Sequence, residues 1–80
     1  MPQDYLPIAC ILHERLEFSV LRKIPLRLEY RQADQDRTEQ VLPLDVATRD
    51  GAEWLTFRRM DGSQEEIRLD RILSFRELLS

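Results

Sequence analysis

Between Leu42 and Ile72 the chain alternates apolar and polar residues around two Asp-Gly pairs, Asp50-Gly51 and Asp61-Gly62. Asp-Gly between alternating segments predicts tight hairpin turns of the primed type. Such turns need positive φ, which Gly adopts without steric cost and Asp tolerates. In Ala52–Phe57, Leu55 and Phe57 fall on one face, with Trp54 and Thr56 on the other. After the second turn, Ile67 and Leu69 share a face opposite Glu66, Arg68 and Asp70. The stretch reads as a three-stranded meander with one apolar side, and the other segments must cover it.

Upstream, residues 1–4 are expected to form a loose tail, and Tyr5-Leu6-Pro7-Ile8 is expected to start extended because a residue before proline avoids the helical region. The period then changes. Leu12, Leu16 and Val20 recur at i, i+4 and i+8 with Leu21 adjoining, while His13, Glu14, Arg15 and Glu17 fill the rest of the circumference. That pattern predicts an amphipathic helix over residues 8–22, set from about Cys10, which needs a surface to pack on and ends at Pro25. Leu26, Leu28 and Tyr30 alternate with Arg27, Glu29 and Arg31, a half-buried strand. Gln32–Arg37 is polar and reads as a surface loop. Glu39–Leu44 is extended again, with Leu42 and Leu44 on one side, and Pro43 implies a sheet edge or a bulge. Val46–Arg49 leads into the first turn. Near the end, Ser74-Phe75-Arg76-Glu77 has the form of a capping box ahead of Leu78-Leu79, which allows at most one helical turn. About five antiparallel strands over residues 26–72 therefore follow one helix.

So few residues make one domain, residues 1–80, and its sheet has to curl on itself to enclose a core. A mainly β fold with one N-terminal helix and a small, strongly bent antiparallel sheet is expected, of the Sm-like or SH3-like barrel or sandwich kind. The net charge of −3 argues against direct nucleic-acid binding, which needs surplus Lys and Arg. Charge is uneven along the chain. Residues 21–31 carry Arg22, Lys23, Arg27 and Arg31 against Glu29, whereas residues 32–53 carry six acids against Arg37 and Arg49. The single cysteine excludes an internal disulfide, and no Cys/His cluster has zinc spacing. No apolar run approaches the roughly 20 residues of a membrane span. A reduced, cytoplasmic monomer is the expectation.

Candidate chemistry is sparse. Cys10 and His13 stand at i and i+3, so a thiol and its base could meet, but a small buried Cys beside a surface His is the simpler account. Asp45 and Asp70 are not brought together by any pattern, and Asp45 suits a bend where its side chain bonds backbone amides. Trp54 serves either as a stacking platform or as cover for the second side of the sheet. Glu14 and Glu17, facing outward with Asp4 near in sequence, form a solvated face or an acidic ridge for a basic partner. The residues read as a non-enzymatic interaction module without a cofactor.

Taken together, Tyr5-x-Pro7-Ile8-x-Cys10, Glu14-x-Leu16-Glu17, Asp45, Thr48-Arg49, Glu53-Trp54-Leu55 and Arg68-Leu69-Asp70-Arg71-Ile72-x-Ser74-Phe75 resemble the Rof family of Rho-binding antiterminators. The resemblance implies a cytoplasmic bacterial protein with a helix ahead of an Sm-like barrel. It further implies binding to the primary RNA-binding site of the termination factor Rho, a basic surface. Glu14 and Glu17 would pair with Lys and Arg of Rho, with His13 and Asp45 beside them and Asp4 adding long-range attraction. Tyr5, Pro7 and Cys10 would dock the helix, and Arg68, Asp70 and Arg71 would hold the last turn. The chain departs from the family where acids are expected after the cysteine, having Ile11-Leu12 instead. Leu28-x-Tyr30, Pro43-Leu44-Asp45, Trp54-Leu55 and Arg68–Ile72 also look like a WYL domain, which implies a ligand-sensing module. An Sm-type RNA-binding module is a third possibility, opposed by the net charge.

Overall fold

The computed structural model describes residues 10–79, Cys10 by its backbone alone. One helix, α1 (Cys10–Arg22), precedes five strands: β1 (Leu26–Gln32), β2 (Gln35–Arg49), β3 (Ala52–Arg59), β4 (Gln64–Arg68) and β5 (Ile72–Glu77). A 3-10 turn, Leu69–Arg71, joins β4 to β5. The strands form one antiparallel sheet in the order β4-β3-β2-β1-β5, so the chain is mainly β, as its periodicity predicts. The sheet stays open, with β4 and β5 as its two edges. Its curvature comes from β2, which pairs with β1 along its first half and with β3 along its second. Within β2, Val41 alone has a partner on both sides, Leu26 and Arg59.

Pro43 sits past the end of the β1 ladder and next to a bulge between Pro43 and Asp45. Of the two placements that a proline permits, β2 uses the bulge. This also sets the phase of the strand. Val41 and Pro43 point into the core, while Leu42 and Leu44 are half-buried on the other side, the reverse of the expected face. The first Asp-Gly is the primed turn expected of it, with φ of 54° at Asp50 and 75° at Gly51. The second is a looser hairpin. Arg59 and Ser63 close a three-residue loop in which Gly62 takes positive φ (89°), and the Asp61 carboxylate accepts bonds from the Ser63 amide and hydroxyl.

Two other expectations are corrected. Gln32–Arg37 is not a loop: the strands run on to a Gln32–Gln35 pair, and Ala33 at φ 55° closes the turn. Polarity there reflects a hairpin that projects past the core, tied by the cross-strand pair Arg31–Asp36 at 2.8 Å. Ser74–Glu77 is not a helical turn but part of β5, paired with β1. One turn is too short to nucleate alone, and the open edge of β1 satisfies its backbone groups instead.

α1 ends in a Schellman arrangement, Ile24 N–H to Ser19 C=O (3.0 Å) and Lys23 N–H to Val20 C=O (3.3 Å), with Lys23 left-handed and Pro25 following. Ile8 and Ala9, the start of the expected helix, lie outside the described residues. Leu16 and Ser19 are buried, Leu12 and Val20 half-buried, and Leu21 exposed rather than part of the inner stripe. Leu16 joins Leu26, Leu28, Tyr30, Val41, Ala52, Leu55, Phe57, Ile67 and Leu69 in the core. The Ser19 hydroxyl has no hydrogen-bond partner among the described residues. Ser19→Ala removes that stranded group and is expected to stabilise the fold by about 1 kcal/mol, roughly 4–8 °C in Tm. A calorimetric scan showing a lower Tm contradicts it.

Candidate functional site

Two polar ties fix the rotation of α1 on the sheet. On one flank His13 Nε2 lies 2.6 Å from a Glu53 carboxylate oxygen on β3, with Nδ1 3.2 Å from Glu17. On the other flank Arg15 donates through Nε (2.9 Å) and Nη2 (2.7 Å) to both oxygens of Glu77 on β5, its guanidinium 4.6 Å from the centre of the Phe75 ring. That bidentate bond holds the Glu77 carboxyl below the usual carboxylate range. With Leu16 in the core between these ties, Glu14 and Glu17 are left exposed on the outer side, as their spacing predicts.

Asp45 is exposed beside the bulge of β2. Among the described residues it bonds no backbone amide, so it is not the bend-capping residue expected. Instead it shares a depression of about 200 Å³ with Glu17, Val20, Leu21 and Val46. The structure therefore brings His13, Glu17 and Asp45 of the candidate set to one side of α1, with Glu14 on the outer helix surface. Asp4, Tyr5 and Pro7 lie outside the described residues. Glu53 is the member that sequence reasoning missed. It stands in the Glu53-Trp54-Leu55 motif, but nothing in strand periodicity places it against a helix residue forty positions earlier.

The remaining candidates have structural surroundings. Arg68 donates to both oxygens of Asp70 (3.1 and 3.0 Å) across the 3-10 turn, which fits the turn-holding part implied for them. Trp54 packs against the core, donates from Nε1 to the Arg49 carbonyl (3.1 Å), and lies under the Arg49 guanidinium at 4.7 Å. It serves as cover more than as an open stacking platform. Arg49 in turn donates to both oxygens of Glu66, which keeps that carboxyl below its ordinary value.

The second polar cluster lies in the sheet. The Arg59 guanidinium donates to Glu39 (3.1 Å), to Glu65 (3.1 Å) and to the Tyr30 hydroxyl (3.2 Å), while Tyr30 donates to Glu39. Burial alone would raise the Glu39 pKa, but the bonds from Tyr30 and Arg59 outweigh it and the net shift is downward. Burial, and then the bond to Glu39, push the Tyr30 phenol above its ordinary value.

Among the described residues, no three His, Cys, Asp or Glu side chains group as a metal site requires. No helix there is long and apolar enough to cross a membrane. No family model matches the chain, and no curated protein matches it.

Proposed function

We propose that the chain is a protein-binding module of the Rof type, which occupies the basic primary RNA-binding site of Rho with the outer face of α1 and so blocks RNA loading. One observation carries this reading. The Leu16 anchor and the flanking His13–Glu53 and Arg15–Glu77 ties hold α1 in a single orientation that turns Glu14 and Glu17 to solvent. A helix fixed on the sheet offers its carboxylates to a cationic surface without ordering its backbone on contact, and the carboxylates steer the approach. The open sheet, ordered β4-β3-β2-β1-β5 with a 3-10 turn between β4 and β5, supports an Sm-like architecture for the same reading. A role on Rho makes the chain a cytoplasmic regulator without chemistry of its own.

The test is capture of purified Rho by immobilised chain. Glu14→Lys with Glu17→Lys is expected to abolish capture while Tm moves by no more than a few degrees, because both side chains are exposed. Wild-type affinity is expected to fall steeply with salt. Unimpaired capture by the double variant removes the acids from the contact, and a collapse of Tm assigns them to the fold instead.

A further inference from the structure

Acids are only part of what α1 shows to solvent. Ile11 (69% exposed), Phe18 (51%) and Leu21 (79%) are large apolar side chains left outside the core. With Glu14 they fall at i, i+3, i+7 and i+10, one stripe along the side of the helix opposite Leu16 and Ser19. A helix with a buried face of its own does not need a second apolar face to fold, and exposed apolar patches mark contact surfaces. Glu17 flanks the stripe, and beside Leu21 lies the depression that Glu17 and Asp45 share. On the other flank Arg15 is clamped by Glu77, and Arg22 lies over the Phe18 ring at 5.2 Å.

Single-stranded nucleic-acid sites combine aromatic platforms, on which bases stack, with a basic groove that follows the phosphates. A decoy made of carboxylates answers only the second half of such a site. We propose that the stripe answers the first: Phe18 and Leu21 cover the base-stacking platforms of the Rho surface, while Glu14, Glu17 and Asp45 meet its Lys and Arg. The inference rests on the Rho reading and deepens it. The depression suits a Lys or Arg of the partner, whose methylene stem lies on Val20 and Val46 while its cation sits between Glu17 and Asp45. Ile11, standing where an acid is expected, begins the apolar stripe. Charge complementarity selects this occupant over the alternatives. A second copy would bring Glu14 and Glu17 up to like carboxylates, and an anionic membrane surface would repel them.

The experiment is calorimetric titration of Rho with wild type, Phe18→Ser/Leu21→Ser and Glu14→Lys/Glu17→Lys over a salt series. The serine variant is expected to bind about thirtyfold more weakly or worse at each salt, with the salt dependence of wild type retained. The lysine variant loses the salt dependence together with the affinity. Wild-type affinity in the serine variant overturns the inference and leaves the Rho reading standing, whereas a wild type that does not bind Rho overturns both. A wild-type sedimentation mass double that of the serine variant shows a second copy on the stripe, and overturns it as well. Flotation with neutral phosphatidylcholine vesicles that the serine variant abolishes does the same.

Discussion

Phe57→Ala is expected to lower the unfolding free energy by about 3–5 kcal/mol, the range for removing a buried aromatic ring. A chain of 80 residues has only about 4–12 kcal/mol in total, so a quarter of its stability or more goes with that ring. The position explains the size of the loss. Phe57 is fully buried in β3, between Pro43 on β2 and Glu65 on β4. Its ring lies 5.6 Å from that of Tyr30, tilted by 60°, and the Arg59 guanidinium lies 5.4 Å away. A curved sheet covered on one side by a single short helix has no second core into which to repack. Urea unfolding followed by tryptophan fluorescence measures the change. A loss below about 1 kcal/mol would mean that the ring is not where the core closes.

The second large effect is at Arg59. Its side chain is 15% exposed and bonds three groups, Glu39, Glu65 and Tyr30, on three different strands. Arg59→Met keeps much of the apolar stem but leaves two carboxylates facing each other without a cation, at a cost of about 2–4 kcal/mol. The same cluster gives a pH signature. Because the Glu39 pKa is lowered in the folded state, its contribution is complete above the unfolded carboxylate value of about 4.3 and is lost as pH falls through the folded value. Wild type is expected to destabilise below about pH 4, and Glu39→Gln to flatten that part of the profile. Equal acid sensitivity in wild type and Glu39→Gln places the acid response elsewhere.

How far the sequence reached depends on what each segment reports. The alternation of Leu55 with Phe57, and of Leu26, Leu28 and Tyr30, announces strands because one face of each is buried. The first Asp-Gly announces its turn because both φ values are positive. Gln32–Arg37 misleads because that hairpin has water on both faces, so no apolar alternation marks it. Ser74–Glu77 misleads because a capping box is a local signal, while the edge of β1 that captures the segment is more than forty residues away. The exposure of Glu14 and Glu17 follows from helical spacing. The Glu17–Asp45 depression and the His13–Glu53 tie do not, since both depend on how α1 lies across β2 and β3. Ile11 and Phe18 fall off the Leu12, Leu16 and Val20 face by helical spacing alone, and the docked helix adds Leu21 to that outer side.

In this reading α1 occupies a site that RNA also needs. Competition answers it most directly: labelled cytidine-rich RNA is bound to Rho and the chain is titrated in, with anisotropy reporting displacement. Complete displacement is expected, at concentrations that rise in proportion to the RNA present. Rho that binds chain and RNA together, with neither weakening the other, contradicts it.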